Sequence, residues 1–201
     1  MRIICVEGNI GAGKSTMLPA LALALGAEYI LEPVDSDGEF RRLLTAFLEG
    51  GVDERNDFQM YMTNQRADML VDLDPEGFYL IERSLLSDLV FTHATMSQYE
   101  NTAEEAARHM DCYKHLIARL HDYPVMDKCL YLKTTPEVAY QRMVNRGRAG
   151  EVEGTSLEYM QDISAFHDAV LPQVCRKAGT ELVTVDWDKG VPMHELVELL
   201  R

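Results

Sequence analysis

The sequence predicts an α/β fold of three layers, a five-stranded parallel sheet with helices on both faces. Two observations carry that prediction. Five short apolar runs are separated by long amphipathic stretches, the alternation that a parallel sheet covered by helices requires. The first run also leads directly through a glycine-rich turn into a helix-like segment, which is how a strand–loop–helix unit begins.

In chain order the strands are expected over residues 2–6, 29–31, 78–81, 129–132 and 182–185. Each is short and apolar enough to be buried on both faces. The third follows the turn signal Pro75-Glu76-Gly77. Helices are expected over 14–25, 39–49, 57–72, 85–96, 102–120, 137–146, 157–177 and 193–200. Pro19 and Pro172 fall inside two of these, so a kink or an early end is expected there. Residues 147–154 are glycine-rich, charged and poor in apolar side chains, as a mobile loop between helices would be. A lid over about residues 142–155 is expected from this stretch and its flanks.

The 201 residues are 47% hydrophobic and contain no low-complexity stretch, which fits one domain over 1–201. With 19 basic and 33 acidic residues the net charge is −14. Such a molecule repels polyanions, which speaks against a nucleic-acid partner. Any phosphate it handles must be held by a local cationic site. The four cysteines form no CxxC pair, and the six histidines show no metal-ligand spacing, so neither zinc nor a disulfide framework is expected. The first strand starts at Arg2, leaving no room for a targeting segment, and no apolar run reaches the ~18 residues of a membrane span. A soluble cytoplasmic protein with no membrane partner is the expectation.

Directly after the first strand comes Gly8-Asn9-Ile10-Gly11-Ala12-Gly13-Lys14-Ser15-Thr16, which satisfies the pattern G-x-x-x-x-G-K-[ST] in its required context. Glycines let the backbone curl so that its N–H groups point inward, and the following helix presents its positive end. Lys14 is expected to reach the β and γ phosphates of ATP, and Ser15 to give its hydroxyl to Mg²⁺. Read blandly, a glycine-rich turn merely joins strand to helix, but then Lys14 has no reason to be there.

No guanine-reading Asn-Lys-x-Asp segment is present, which excludes a GTPase, and the third strand ends in Glu82-Arg83-Ser84. Small-molecule kinases of the P-loop class fit better, and a three-layer P-loop kinase fold with an arginine-bearing lid is the expectation. Phosphoryl transfer needs charge stabilisation, a closed site and a base for the attacking hydroxyl. In an open parallel sheet, ligands bind at the carboxyl ends of the strands, where Gly8, Glu32 and Arg83 would converge. Glu32 opens Glu-Pro-Val, and Pro33 stops the strand there; Glu32 is the expected general base. Arg83 is expected to bridge phosphoryl oxygens, and Glu82 to hold a water on Mg²⁺. Arg142, Arg146 and Arg148 can close over the triphosphate as a cationic clamp, although cations favour a helix C-terminus in any case.

These blocks resemble the deoxyribonucleoside kinase family, which includes deoxycytidine and deoxyguanosine kinases. The matching residues are 7–16, Glu32-Pro33-Val34, Phe58-Gln59 with Arg66, Glu82-Arg83-Ser84 with Ser87-Asp88, and 142–151. The resemblance implies transfer of the ATP γ-phosphoryl group to the 5'-hydroxyl of a deoxyribonucleoside. It implies that Gln59 pairs with the base, that Arg66 and Asp88 read its edge, and that Glu151 meets the sugar 3'-hydroxyl. Gln59 and Arg66 are seven residues apart and so share a helix face. Arg66 with Asp88 is similar to the pattern of relatives that take cytosine or purine deoxynucleosides. Family members commonly form homodimers through two helices, here near 85–96 and 102–120.

The chain also departs from the family. Leu48 stands where a tyrosine is usual, Asp37 where a tryptophan often follows Glu-Pro-Val, Thr92 where an aromatic is usual, and Gly150 where a second lid acid is common. These losses imply weaker nucleoside binding or a broader substrate range. Two other readings remain at this point. A nucleoside monophosphate kinase would need a cationic pocket for the acceptor phosphate, and a non-catalytic ATP-binding regulatory protein would need no acceptor-side carboxylate.

Overall fold

Alternation along the first strand decides the layering. In β1 (Arg2–Glu7) the side chains of Ile4 and Val6 point to one side of the sheet and those of Ile3 and Cys5 to the other, all fully or almost fully buried. The structure, a computed structural model, describes residues 1–34, 38–97, 102–148 and 151–201. Its sheet adds β2 (Glu28–Ile30), β3 (Phe78–Glu82), β4 (Lys128–Lys133) and β5 (Glu181–Asp186), all parallel, in the order β2-β3-β1-β4-β5. Ile4 and Val6 pack with α1 (Lys14–Leu25) and α9 (Met193–Leu200). Ile3 and Cys5 meet Leu86 of α4 (Leu85–Ser97) and Leu171 and Cys175 of α8 (Leu157–Ala178).

The remaining helices are α2 (Gly38–Glu49), α3 (Val52–Asp68), α5 (Ala103–His121), α6 (Pro136–Arg146) and the single turn α7 (Glu151–Gly154). The expected three-layer architecture is therefore present, with helices on both faces of a five-stranded parallel sheet. No helix among the described residues is long and apolar enough to cross a membrane.

Several boundaries differ from the sequence expectation for local reasons. Helix α3 starts at Val52 rather than at 57, because the Glu54 carboxylate accepts a hydrogen bond from the backbone N–H of Gly51 at 2.9 Å and closes a capping turn. Strand β2 is shifted back by one residue, to Glu28–Ile30. Neither Pro19 nor Pro172 ends its helix. The buried neighbours Leu18, Leu21, Leu171 and Cys175 hold the flanking turns in place despite one lost hydrogen bond at each proline. The stretch expected as open loop contains α7, whose Gly154 lies against Leu48. The positions of Asp37 and Gly150 lie outside the described residues.

Candidate active site

The phosphate loop is built by close packing. Gly11 has φ 74°, and a Cβ there would sit 2.2 Å from the backbone oxygen of Ala139, so only glycine lets α6 dock on the loop. Asn9 turns inward, donating from Nδ2 to Met160 O at 2.8 Å and to Ser164 Oγ at 3.0 Å, so its side chain ties the loop to α8. Lys14 folds over the loop, with Nζ donating to Gly8 O at 3.2 Å and Asn9 O at 3.0 Å. Burial, then the nearby Arg83 charge, push the ammonium down to about 7, while Glu82, Glu32 and Glu7 pull the other way. An arriving polyphosphate would supply the negative charge that this lysine is short of. Ser15 and Thr16 stand exposed at the mouth of the loop, and Ser15 Oγ donates to Glu82 Oε1 at 2.7 Å.

The acceptor side centres on one carboxylate and two guanidinium groups. Glu32, two residues past the end of β2, takes Arg66 Nε on Oε1 at 3.1 Å, and Arg66 Nη2 reaches the same oxygen. Its other oxygen, Oε2, meets Arg83 Nε at 3.3 Å. Although burial works in the opposite direction, Arg66 and Arg83 hold the carboxyl well down, at about 2. Arg66 in turn donates from Nη1 to Asp88 Oδ1, which also accepts from Gln59 Nε2 at 3.1 Å. Asp88 is fully buried behind Arg66 and Gln59 and is not a wall of the cavity.

Arg83 carries the one positive φ among the described non-glycine residues, 64°. A conformation of that kind costs about 1–3 kcal/mol and persists only where its surroundings over-determine it. Here its N–H is held by Val6 O at 3.0 Å, and its guanidinium lies 4.7 Å over the Phe91 ring. Beneath the turn, the Glu7 carboxylate accepts from Ser84 Oγ at 2.7 Å and from Ser87 Oγ. Burial raises the Glu7 carboxyl, against the pull of Arg83 and the two serines. Sequence reasoning gave Glu7 no role. The available signal was a carboxylate at the last residue of a buried strand, immediately before the phosphate loop.

The lid arginines separate in space. Arg146 and Arg148 both hold Glu151, Arg148 Nη1 at 3.0 Å from Oε1, and both face the cavity. Arg142 spends its guanidinium on backbone carbonyls: Ala12 O at 3.3 Å, Trp187 O at 3.1 Å and Asp188 O at 2.7 Å. It therefore stitches the 187–188 turn to the phosphate loop beside the cleft, rather than hanging free as a clamp.

Two cavities meet here. One is lined by Glu32, Gln59, Arg66 and Arg83 together with an apolar wall of Phe40, Phe47, Leu48, Phe58 and Tyr159. The other runs along residues 11–17 and is bounded by Arg142, Asn145 and Trp187. Gly11, Lys14, Ser15, Glu82, Arg146 and Arg148 line both. Most of the predicted residues line one or both cavities; Asp88 lies behind the wall, Asn9 turns into the core, and Gly8 lines neither. Tyr159, Thr155 and Trp187 border the cavities without having been assigned a role from the sequence.

The donor set suits the groups expected. Curled backbone, Lys14 and the two lid arginines match a polyphosphate. The Ser15 hydroxyl beside the Glu82 carboxylate is the oxygen pair that suits a hard cation such as Mg²⁺.

The chain is similar to known proteins in sequence and in fold. Residues 4–196 match the family described as deoxynucleoside kinase. The chain is 30% identical over 199 residues to deoxycytidine kinase 2 of Gallus gallus, covering 85% of this chain and 74% of that protein. It is 26% identical over 192 residues to deoxyguanosine kinase of Dictyostelium discoideum, covering 93% of this chain but 64% of that protein, so it spans just under two thirds of the relative's length. In fold it is similar to deoxyadenosine kinase from M. mycoides with bound dATP, at a TM-score of 0.78 and 22% identity, covering 98% of this chain and 96% of that one. A match that runs from the first strand into the last helix makes this chain a member of the deoxynucleoside kinase family.

Proposed function

We propose that the protein transfers the γ-phosphoryl group of ATP to the 5'-hydroxyl of a deoxyribonucleoside, as a step of nucleotide salvage. The observation that carries this reading is the pair of cavities joined at Lys14, Ser15, Glu82, Arg146 and Arg148, one phosphate-binding in character and the other apolar with a polar end. The acceptor hydroxyl reaches Glu32, which takes its proton as the 5'-oxygen bonds to the γ-phosphorus. The bond from that phosphorus to the β,γ-bridging oxygen breaks, and ADP leaves with the electron pair. Lys14, Arg83, Arg146 and Arg148 hold the charge of the moving phosphoryl group. When bound through Ser15 and Glu82, Mg²⁺ neutralises charge on the phosphate oxygens.

The apolar wall suits a nucleobase face, and Gln59 offers it both a donor and an acceptor. Arg66 backed by Asp88 favours cytosine or purine bases over thymine. A monophosphate acceptor suits the site less well, because Arg66 is already shared by two carboxylates and Glu32 would repel an acceptor phosphate. Should the protein pair with a second copy, α5 offers the exposed Met110 and Ile117, whereas α4 is largely spent inside the chain.

The test is ADP release with MgATP against deoxycytidine, deoxyadenosine, deoxyguanosine, thymidine and their monophosphates. Turnover on nucleosides supports the reading. Turnover on monophosphates alone would overturn the acceptor assignment.

A further inference from the structure

One guanidinium serves two carboxylates with opposite duties. Arg66 gives Nε and Nη2 to Glu32 Oε1 and Nη1 to Asp88 Oδ1, so it joins the reacting end of the acceptor cavity to its base-reading end. In this arrangement both oxygens of Glu32 are engaged by guanidinium groups. A carboxylate so occupied is a poor acceptor for a hydroxyl proton. Arg66 fills Oε1 with two bonds while Arg83 places one on Oε2, so withdrawal of Arg66 is the change that frees most of Glu32 for a hydroxyl proton. Arg83 is fixed by the backbone bond to Val6 and by its stack on Phe91. Arg66 has somewhere else to go: Asp88 Oδ2 is buried without a hydrogen-bond partner, so Arg66 can turn into a paired fork on Asp88 and leave no charge stranded.

We propose that Arg66 is a positioning residue with two settings: bridged to Glu32 when the acceptor cavity is empty, and forked onto Asp88 when a nucleobase with a hydrogen-bond acceptor on its edge draws Nε or Nη2 away from Glu32. Base recognition then releases the general base, so that the identity of the base acts on kcat as well as on KM. This rests on the kinase reading above. It differs from passive base reading, in which Arg66 and Asp88 contribute binding energy alone.

The groups that face Glu32 are Arg66 from α3, Arg83 from the end of β3 and Lys14 from the start of α1, with Asp88 of α4 behind Arg66. Against the upward effect of burial, Arg66 and then Arg83 hold the Glu32 carboxyl down, so withdrawal of Arg66 acts in the direction of greater basicity.

The experiment compares saturating rates for deoxycytidine with those for 1-deoxyribosylbenzene, a C-nucleoside with a six-membered ring and no polar edge, in the native protein and in Arg66→Met/Asp88→Ala. The native protein is expected to show a kcat about 100-fold lower with the phenyl acceptor, the scale of a general base held out of action. The double variant, in which Arg83 and Lys14 still face Glu32 but Arg66 no longer covers Oε1, is expected to turn over both acceptors with kcat values within about threefold, differing in KM alone. Equal kcat values in the native protein, with the whole difference in KM, would overturn the proposal while leaving the kinase reading intact. So would a double variant that kept the full 100-fold difference. If the double variant failed to fold, the native comparison would decide alone. Absence of turnover on every nucleoside would remove the kinase reading, and this inference with it.

Discussion

Consider the removal of Arg66 by Arg66→Met. Its side chain is 6% exposed and lies between Glu32 at 11% and Asp88 at 0%. The substitution leaves two buried carboxylates facing a thioether. Breaking a buried ion pair from one side costs about 3–5 kcal/mol, because the surviving charge loses its partner. At about 2–4 °C per kcal/mol for a chain of this size, the melting temperature should fall by about 6–20 °C. Taking away the stranded charge as well, in Arg66→Met/Asp88→Ala, should recover about 2 kcal/mol or more, since an apolar replacement of a buried pair is often close to neutral. The pair would then show strongly non-additive behaviour in a cycle of four proteins measured by urea denaturation. Additive losses, or a single-variant cost below about 1 kcal/mol, would refute the claim that these three side chains form one buried network.

Three further outcomes follow from other parts of the structure. Gly11→Ala forces a Cβ to within 2.2 Å of Ala139 O at a positive φ, so it should destabilise the fold by about 2 kcal/mol or more and abolish ATP protection in thermal melts; a neutral result would contradict the docking of α6 on the loop. Lys14→Met keeps the apolar stem but removes the charge facing the phosphates, and should lower kcat/KM by about 10²-fold or more with the melting temperature retained; unchanged turnover would contradict its role. His167 is fully buried, donates to or accepts nothing at Nε2, and is pushed down to about 3 by burial. Its contribution to stability is fully present above its unfolded value near 6.5 and is lost as pH falls from there toward 3, at about 1.4 kcal/mol per pH unit. Glu32 acts with the same sign but in a lower window, its contribution being lost only as pH drops through the carboxylate range toward 2, so urea midpoints between pH 7 and 5 are free of it, and the part of the slope that His167→Phe removes belongs to the histidine. His167→Phe should flatten that slope, and an unchanged slope would refute the assignment.

How far the fold and site were legible in the sequence depends on the range of the interactions concerned. The phosphate loop was legible because each residue acts within its own turn: Gly11 for the close approach, Lys14 for the charge, Ser15 at the mouth. The three inner strands β1, β3 and β4 were legible because burial on both faces writes itself as a short apolar run, whereas the edge strands β2 and β5 are largely exposed or half-buried, against the expectation of burial on both faces. Helix α3 was misjudged at its start because its cap is made by a glycine backbone and Glu54, with no Ser, Thr, Asp or Asn at the cap position to announce it. Arg142 shows the limit of counting charges, since its partners are carbonyls of residues 187 and 188, forty-five or more positions away. Likewise, the sharing of Arg66 between Glu32 and Asp88 spans 34 and 22 residues and depends on how α3 and α4 pack beside the end of β2. Thr92, where an aromatic was expected, is buried with no hydrogen bond at Oγ1, and the neighbouring Phe91 lies under Arg83.

The measurement that bears most directly on the central claim is transfer of label from γ-³²P-ATP to an unphosphorylated deoxyribonucleoside, with the product identified chromatographically, for the native protein and for Glu32→Gln. The site described here predicts a labelled 5'-monophosphate from the native protein and a rate about 10²-fold or more lower from the variant, with ATP binding retained. Label appearing only when a monophosphate is the acceptor, or equal rates for the two proteins, would contradict it.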